Sequence, residues 1–511
     1  MEEEIQLPYK TTSLCPECLK ILEAEVYEEN GKVMIRKVCP DHGEFVDVYW
    51  SDVEMFKRAS RYRHDGLGIW NPITKNEKCP FSCGLCNLHK SHTALLNIVL
   101  TNRCNLACWY CFFYAKRAGY VYEPTIEQIV NMVRVAKNLK PVGCNAVQLT
   151  GGEPTLRDDL IEIIRAIKAE GIDHIQLNTN GILLALQPDL ALKVREAGVN
   201  TVYLSYDGVD EHTNPKNHKE IPKILENCKK AGLGIVLVPT IINTINDHQL
   251  GDIIRFASDN IDIVRGVNIQ PVSLIGRISK EERKRYRITI PDVIKRIEEQ
   301  TNYEITRDDF YPVPCVTAIS HFVEALTGRP QYEFTCHFAC GMATYVFKVN
   351  GKLIPITRFV DVDGLFEYLN EKAEEIKNSK IKSIKALKSI IDLRRFVDLD
   401  KAPFDITKIL FDILVKHDYL SLGEFHVRAL FIGMMHFQDL YNYDIERVKR
   451  CVIHYGTPDG RIIPFCAFNV LPETYKDKIH AKYGIPIKEW EKKTGKKLKD
   501  DIYRVVKKPK D

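Results

Sequence analysis

The sequence has no long hydrophobic run and no strong excess of charge of either sign. Its apolar stretches, such as residues 429–435, are far short of the roughly 18 residues that a membrane-spanning helix needs. The first residues are acidic and lack the apolar core of a secretory signal. A formal net charge of +4 is too small to indicate a nucleic-acid partner. We therefore expect a cytoplasmic protein, with peripheral membrane contact as the alternative.

Low-complexity segments and fixed-period repeats are also missing, and most of the composition is ordinary. The 511 residues correspond to two to four domains at roughly 150 residues each. Apolar residues make up 45% and charged residues 27%, as in soluble folded proteins. The exception is cysteine, with 16 residues. Because nothing points to export, metal or redox sites explain these cysteines better than a disulfide framework.

The cysteines are grouped at short, repeated spacings, which scattered structural cysteines would not show. A C-P-E-C and a C-P-D-H segment come first, two C-x3-C-x2-C motifs follow, and a looser group comes last. The groups are, in chain order, Cys15, Cys18, Cys39 and His42; Cys79, Cys83 and Cys86; Cys104, Cys108 and Cys111; and Cys315, Cys336, Cys340 and Cys466. Spacings of this kind indicate metal or cluster binding.

The middle of the chain, residues 91–285, alternates between predicted strands and helices. Apolar, β-rich runs cover 94–100, 146–149, 174–178, 201–205, 234–240 and 264–270. Helical spacing of apolar residues covers 126–136, 160–169, 190–196 and 221–231. This alternation predicts an α/β fold with a parallel sheet, and the strand count suits a partial (β/α)6 barrel. We expect a metal ribbon and a cluster-binding segment before it (1–90) and a helix-rich domain with few strands after it (286–511).

A polar or glycine-bearing turn follows each of these strands, at 104–111, 151–154, 178–181, 205–208, 240 and 270–271. The carboxyl ends of parallel strands meet at one rim, where α/β barrels collect their chemistry. Three cysteines in a tight loop can bind three irons of a 4Fe–4S cube and leave the fourth iron open. A structural zinc site is the alternative, but zinc needs a fourth ligand and does not explain the glycine-rich turn.

The segments C-N-L-A-C-W-Y-C at 104–111 and T-G-G-E-P at 150–154 resemble the two signatures of the radical S-adenosylmethionine (SAM) superfamily. The resemblance implies a catalytic 4Fe–4S cluster on Cys104, Cys108 and Cys111, with SAM bound to the open iron. Reduction then cleaves SAM to methionine and a 5′-deoxyadenosyl radical, which removes a hydrogen atom from the substrate. The implied SAM contacts are Trp109 or Tyr110 for adenine; Gly151, Gly152 and Glu153 for the methionine end; and Asn178, Ser205, Asp207 and Thr240 for ribose and carboxylate.

The other cysteine groups predict three further metal centres. The first group, with three cysteines and His42, forms a closed set of ligands for one zinc or rubredoxin-like iron. The motif at 79–86 predicts an auxiliary 4Fe–4S cluster near the amino-terminal face of the barrel, with Cys144 as its fourth ligand; zinc is the alternative. The last group predicts a second auxiliary cluster over the carboxyl rim, with Cys451 as the substitute if one of its cysteines fails.

The layout outside the SAM core resembles the archaeal tetraether lipid synthase group. The N-terminal knuckle, the paired cluster motifs and T-P-D-G-R-I-I-P-F-C-A-F-N at 457–469 carry this resemblance. It implies that the enzyme joins two unactivated sp3 carbons of isoprenoid ether lipid tails, with a ferredoxin-like electron donor. Apolar segments at 409–415 and 429–437 suit a lipid tunnel, although an ordinary buried helix explains each of them as well.

Two other hypotheses stay open. Radical SAM methylases, including one proposed for methanopterin biosynthesis, share much of this layout. A methylase acting on a pterin, or a maturase acting on a peptide, is therefore the alternative to lipid coupling. A methylase needs a site for a polar methyl donor, whereas a lipid enzyme needs a long apolar tunnel. A non-enzymatic iron–sulfur carrier is the third hypothesis, but a carrier requires neither an open iron nor the G-G-E-P turn.

Overall fold

The computed structural model describes residues 2–75, 78–109, 111, 113, 115–276, 278–379, 392–403, 425 and 428–507. Tyr110 and the apolar segment 409–415 lie outside the described residues. The described chain forms an N-terminal antiparallel sheet, a large mixed sheet and helices that pack mostly against the latter. None of the helices that the structure describes is both long enough and apolar enough to cross a membrane.

The strands and helices have the following bounds. The strands are β1 (Tyr9–Leu14), β2 (Ile21–Glu29), β3 (Lys32–Cys39), β4 (Gly43–Trp50), β5 (Leu95–Thr101), β6 (Leu106–Cys108), β7 (Tyr120–Val121), β8 (Ala146–Gly151), β9 (His174–Thr179), β10 (Thr201–Ser205), β11 (Gly234–Val238), β12 (Thr240–Ile241), β13 (Val264–Pro271), β14 (Tyr311–Pro312), β15 (Gly341–Val349), β16 (Lys352–Pro355), β17 (Leu430–Met435), β18 (Ile453–Gly456), β19 (Ile462–Pro464), β20 (Ile485–Pro486) and β21 (Arg504–Val506). The helices are α1 (Val53–Ser60), α2 (Ala115–Ala118), α3 (Ile126–Lys137), α4 (Leu160–Ala169), α5 (Ile182–Leu186), α6 (Leu190–Ala197), α7 (Ile221–Lys230), α8 (Leu250–Asp259), α9 (Lys280–Tyr286), α10 (Ile290–Gln300), α11 (Thr317–Thr327), α12 (Val362–Lys377), α13 (Ile445–Lys449), α14 (Phe465–Val470), α15 (Lys476–Tyr483) and α16 (Ile487–Thr494).

The N-terminal strands β1 to β4 form a sequential antiparallel ribbon. Alternate residues of β3 are buried, as a strand with one covered face requires. The ribbon is fixed to the C-terminal part of the chain through the buried carboxylate of Asp444. Thr11 Oγ1 donates to Asp444 Oδ1 at 2.7 Å, and the Tyr49 hydroxyl donates to Asp444 Oδ2 at 2.8 Å. The ribbon therefore packs against the C-terminal part of the chain.

A parallel sheet with interleaved helices follows, as the sequence predicts. Its strands β5, β8, β9, β10, β11 and β13 lie side by side in parallel register. The predicted helices are present as α3, α4, α6 and α7. The α/β alternation is thus confirmed. One face of the sheet packs against the helices, as Leu96 and Ile98 show, whereas the intervening Asn97 lines a cavity on the other face.

The C-terminal part of the chain extends this sheet at both edges. β17 pairs in parallel with β13 and antiparallel with β15, and β18 pairs in parallel with β5 and antiparallel with β19. The expectation of few strands after residue 286 is therefore wrong. The segment 429–437 contains β17, whereas we expected a tunnel lining or a buried helix. A continuous apolar run fits a strand buried on both faces as well as it fits a helix.

A buried charge group connects the sheet to the ribbon and to the C-terminal part. Arg287 forms an ion pair with Asp439, whose side chain is fully buried. The Arg287 Nε donates to Asp47 Oδ1 at 3.2 Å, and Arg283 Nε donates to Asp47 Oδ2 at 2.9 Å. Burial alone would raise the pKa of Asp439, but the Arg287 guanidinium lowers it overall. Each charge in this group therefore depends on its partner.

We predict that Arg287→Met destabilises the fold strongly. The substitution leaves the Asp439 carboxylate buried without its cation, which costs about 3–5 kcal/mol of unfolding free energy. Urea unfolding under anaerobic conditions measures the loss. The matched control is Lys10→Met, which removes a pair whose side chains are 73% and 70% exposed, and it should leave the midpoint unchanged. Equal midpoints for Arg287→Met and wild type would contradict the prediction.

Candidate active site

A cavity of about 520 Å³ opens at the carboxyl ends of the parallel strands. The three cysteines of the loop after β5, Cys104, Cys108 and Cys111, line it. So do most of the predicted SAM contacts, namely Gly151, Gly152, Glu153, Asn178, Ser205 and Thr240. The C-terminal part of the chain closes the opposite side with Phe334, Cys336, Phe437 and Cys466. The polar turns predicted from the sequence therefore do meet at one site.

The cysteine loop has features that suit a cluster. Burial raises the pKa of Cys104 and Cys111, and it raises that of Cys108 to about 12. Backbone amides oppose this effect: Leu106 N donates to Cys104 Sγ and Phe113 N donates to Cys111 Sγ, each at 3.4 Å. Partly buried thiols, two of which accept backbone hydrogen bonds, fit thiolate ligands of iron.

Asp501 and β21 contact this cysteine loop. β6, which includes Cys108, pairs in parallel with β21. Arg103, directly before Cys104, donates from Nε and Nη2 to the two carboxylate oxygens of Asp501 at 2.8 and 2.9 Å. The Arg103 side chain is only 4% exposed. This bidentate ion pair is therefore well shielded from water and fixes the start of the loop.

The G-G-E-P turn lies directly against the backbone that leads into the loop. Gly152 N donates to Thr101 O, and Glu153 N donates to Arg103 O, both at 2.7 Å. A Cβ on Gly151 would lie 2.2 Å from Thr101 O, and a Cβ on Gly152 would lie 2.0 Å from Arg103 O. Only glycine permits this approach. The two sequence signatures are thus parts of one hydrogen-bonded unit.

Glu153 positions the rim of the sheet. Its buried carboxylate accepts hydrogen bonds from Thr155 Oγ1 and Thr179 Oγ1 at 2.6 Å and from Asn180 N at 2.8 Å. Burial raises its pKa, and these donors oppose the increase. Asn180 in turn donates to Asn105 Oδ1 in the cysteine loop at 2.7 Å. The carboxylate therefore ties the ends of β8 and β9 to each other and, through Asn180, to the loop.

Lys216 is a cavity residue that the sequence did not reveal. Its Nζ is 2.8 Å from Asp207 Oδ2 and donates to Ser205 Oγ at 2.8 Å, and its side chain is 9% exposed. Its charge lowers the pKa of Cys108 and Cys111, against the dominant effect of burial. Asp207 also accepts from Thr240 N at 3.0 Å. Nothing in the sequence distinguishes this lysine from an exposed one.

A row of side-chain amides crosses the floor of the cavity. Gln176 Nε2 donates to Gln148 Oε1, and Gln148 Nε2 donates to Asn97 Oδ1, each at 2.6 Å. Asn268 and Gln270 continue the polar lining on β13. Of these residues, only Gln270 was predicted, as part of the polar turn at 270–271. A signal was available, since Asn97, Gln148 and Gln176 each stand between two apolar residues of a strand.

Trp109, one of the two expected adenine contacts, does not line the cavity. The Trp109 ring packs on the core, with its centroid 6.4 Å from that of Tyr286, and Trp109 is not among the residues that line the cavity. Its backbone N donates to Val506 O at 3.2 Å. The other expected residue, Tyr110, lies outside the described residues.

Four C-terminal cysteines lie near one another, and this group differs from the predicted one by one residue. Cys336 and Cys466 line the cavity, and Arg447 Nε donates to Cys340 Sγ at 3.3 Å. Burial raises the pKa of Cys451, and the neighbouring Cys466 and Cys340 raise it further. Cys315 lies elsewhere, packed with α11 and α12. The structure therefore brings together Cys336, Cys340, Cys451 and Cys466, with the substitute in place of Cys315.

The first C-x3-C-x2-C motif borders a small separate cavity, which His89 also lines. Cys144 does not line that cavity, and its thiol donates to Ala146 O at 3.2 Å. We expected this motif at the amino-terminal face, away from the SAM side. Instead, Cys79 and Cys83 pack in the same apolar cluster as Cys111 and Cys466.

The ribbon carries a compact ligand set. One ligand atom each from Cys15, Cys18, Cys39 and His42 lies within 4.8 Å of all the others. Cys39 Sγ is 3.5 Å from His42 Nδ1 and Cys18 Sγ is 3.8 Å from Cys39 Sγ. Three thiols and one imidazole at these separations suit a closed tetrahedral zinc site.

Comparisons with known proteins agree with this geometry. The radical SAM superfamily profile matches residues 98–257, and the profile of the HMPTM N-terminal zinc ribbon domain matches residues 7–51. A 7,8-dihydro-6-hydroxymethylpterin dimethyltransferase from Methanocaldococcus jannaschii is 48% identical over 94% of this chain and 97% of its own length. A probable GTP 3′,8-cyclase from the same organism is 35% identical over 42% of this chain and 69% of its own.

Solved structures resemble a part of the chain. Methylornithine synthase is 17% identical over 42% of this chain and 64% of its own, with a TM-score of 0.31. A radical SAM methyltransferase from Sphaerobacter thermophilus is 13% identical over 58% of this chain and 75% of its own, with a TM-score of 0.27.

The sequence matches define the class and then the family. The profile match and the cysteine loop identify a radical SAM enzyme that binds a 4Fe–4S cluster and SAM, with a zinc ribbon at its N-terminus. The chain belongs, within this superfamily, to the family of 7,8-dihydro-6-hydroxymethylpterin dimethyltransferase. The expectation that it couples lipid tails is therefore wrong, because a relative similar over nearly the full length carries the name of a pterin methylase.

We predict that Cys108→Ala abolishes SAM cleavage. The substitution removes one of three ligands in a loop that has no spare cysteine, so the cluster and its open iron are lost. The iron content and the formation of 5′-deoxyadenosine under reductant measure the effect. Cys228→Ala, at a buried thiol in α7, is the matched control and should keep both. Continued 5′-deoxyadenosine formation by Cys108→Ala would disprove the assignment.

We predict that Cys15→Ala removes one zinc per chain and lowers the melting temperature. Metal ligation contributes directly to the folding free energy of a small ribbon. SAM cleavage should persist in the folded fraction, since the ribbon site is separate from the cavity. Elemental analysis and thermal melts test this, with Glu23→Ala on the exposed side of β2 as the control. Lost cleavage with an unchanged melting temperature would instead indicate electron transfer through the ribbon.

Proposed function

We propose that this chain is a radical SAM methylase that adds methyl groups to a reduced hydroxymethylpterin. The observation that carries the proposal is the pterin dimethyltransferase of 48% identity, which aligns with 94% of the chain. The alignment includes the ribbon, the SAM region and the C-terminal strands alike, so it concerns the whole arrangement around the cavity. This reading corresponds to the alternative that the sequence left open.

The cavity has the chemistry that a pterin requires. A pterin presents donors and acceptors along one edge of a flat ring, and amide side chains can pair with such an edge. Gln148, Asn268 and Gln270 supply amides on one side of the cavity. Phe437 and Phe465 supply an aromatic wall on the other side, with their ring centroids 3.8 Å apart. The volume is within the range of about 300–1,000 Å³ for small-molecule sites.

The chain's own residues hold and polarise this site. When bound, the cluster and SAM supply a radical that removes a hydrogen atom from the pterin. Gly151 and Gly152 leave space beside the cysteine loop, and Asn178, Ser205 and Thr240 offer polar groups for SAM. Lys216 places a positive charge beside Cys108 and Cys111, where it would favour the more negative, reduced state of a cluster.

The further cysteine groups fit electron transfer to this site from a ferredoxin-like donor. Arg447 supports a cluster on Cys336, Cys340, Cys451 and Cys466, because it is 1% exposed and donates to Cys340 Sγ. The positive charge of a buried guanidinium needs a negative partner, and cysteines that bind a cluster as thiolates provide one. Cys79, Cys83 and Cys86 hold the other auxiliary cluster in this proposal.

The reaction balances with SAM as the methyl donor. One hydrogen of the pterin moves to the 5′-deoxyadenosyl group, and one methyl group takes its place on carbon. Each methylation then consumes two SAM and two electrons, and it yields 5′-deoxyadenosine, methionine and S-adenosylhomocysteine. Any other methyl donor would change the last product and leave the first two unchanged.

The test is a reaction of the reduced holoenzyme with SAM and 7,8-dihydro-6-hydroxymethylpterin. We expect pterin products that are heavier by one or two CH2 units, formed in step with 5′-deoxyadenosine. SAM with a deuterated methyl group shows whether SAM is the donor, since the label then appears in the product. Gln148→Leu, which removes cavity amides and leaves the cysteine loop intact, should lower pterin turnover at least tenfold and keep uncoupled SAM cleavage.

Thr12→Ala on the ribbon strand β1 provides the matched control and should methylate at the wild-type rate. Recovery of unmethylated pterin from an enzyme that does cleave SAM, with SAM and with cell extract as methyl source, would contradict the proposal.

A further inference from the structure

Three metal-ligating side chains converge outside the cavity, in a place that neither the ribbon nor the cysteine groups occupy. His64 follows α1, His321 lies in α11, and Glu333 lies in the segment between α11 and β15. One ligand atom of each lies within 4.8 Å of the other two. His321 Nε2 is 3.3 Å from Glu333 Oε1, and the two imidazole centroids are 4.9 Å apart.

The carboxylate of Glu333 is held in one orientation. Its side chain is 3% exposed, and Oε2 accepts a hydrogen bond from Leu67 N at 3.2 Å. The backbone N of Glu333 donates to His92 Nε2 at 3.1 Å. A Cβ on Gly66 would lie 2.9 Å from Glu333 Oε2, so the loop closes on the carboxylate without room for a side chain. Oε1 is thereby left to face the two imidazoles.

The buried carboxylate of Glu333 faces two imidazoles. A buried carboxylate is costly unless it is paired or coordinates a metal. In the described part of the chain, His321 is the one basic side chain at ion-pair distance from Glu333, and no lysine or arginine joins it. A divalent cation between the three side chains would balance the charge of this buried carboxylate and use all three ligand atoms.

We propose that His64, His321 and Glu333 bind one divalent first-row transition ion, zinc or ferrous iron. Two imidazoles and one carboxylate form a donor set that both ions use in proteins. The three ligands come from three separate segments, so the ion cross-links the N-terminal part of the chain to α11 and to the segment that leads into β15. This site is independent of the proposed function.

The position of the ion gives it a role at the cavity wall. Phe334 directly follows Glu333, and Cys336 comes two residues later; both line the main cavity. Thr335 between them is held to Ser91 Oγ at 2.9 Å. A metal ion on Glu333 therefore fixes the beginning of the segment that presents these two side chains. His64 itself borders a second cavity of about 570 Å³, through which an ion can enter.

The test counts metals in anaerobically purified holoenzyme. Glu333→Gln keeps the shape of the side chain and an acceptor for Leu67 N but removes the charge, and His64→Gln removes one imidazole. Each should contain one divalent ion fewer per chain than the wild type, with unchanged cluster absorbance. The element that is lost distinguishes zinc from iron. His212→Ala, at an exposed histidine, is the matched control and should lose nothing.

The ribbon zinc is separated from this ion by combining variants. Cys15→Ala and Glu333→Gln should each lose one ion, and the double variant should lose two. After treatment with a chelator, added Zn2+ or Fe2+ should raise the melting temperature of the Cys15→Ala single variant but not that of the double variant. Equal metal content in wild type, Glu333→Gln and His64→Gln, with equal thermal responses, would show a hydrogen-bonded cluster without metal and overturn the proposal.

Discussion

The contact between the G-G-E turn and the backbone before Cys104 is the constraint around which the rest of the site is arranged. Two hydrogen bonds of 2.7 Å join the end of β8 to residues 101–103, and they form only because two successive residues lack side chains. Glu153 then extends the same connection to β9 through Thr179 and Asn180. Three strand ends and the cysteine loop thus move as one body, which a reaction with a short-lived radical requires for accurate placement.

Much of this could be read from the sequence because the relevant signals are local. Local signals can be recognised without knowledge of the fold; here they are strand and helix periodicity, short cysteine spacings and a glycine pair. The predicted strands at 146–149 and 201–205 and the helix at 160–169 therefore correspond closely to β8, β10 and α4. The structure also brings the four predicted ribbon ligands together, and each half of the set is a local motif of four residues.

The features that the sequence did not reveal depend on contacts between segments that are far apart in the chain. Whether an apolar run such as 430–435 forms a strand is decided by β13 and β15, which flank it. Which cysteines meet is likewise decided by the packing of the C-terminal part, so Cys451 could not be ranked above Cys315 in advance. Lys216 and Arg447 are buried charges whose surroundings come from separate segments. The chemical class of the substrate was the hardest property to predict from the sequence. The amide and aromatic residues of the cavity wall come from many separate segments.

The pairing of β21 with β6 has a consequence for biogenesis. Residues 504–506 emerge from the ribosome long after the cysteine loop, and β18, which borders β5, also comes late. Contacts of such high sequence separation form slowly and leave strand edges exposed meanwhile. During synthesis the loop lacks its outer strand and its Asp501 anchor. Cluster insertion before these segments pack would therefore meet a loop without these supports, whereas insertion afterwards would meet a loop that β21 and Asp501 already hold.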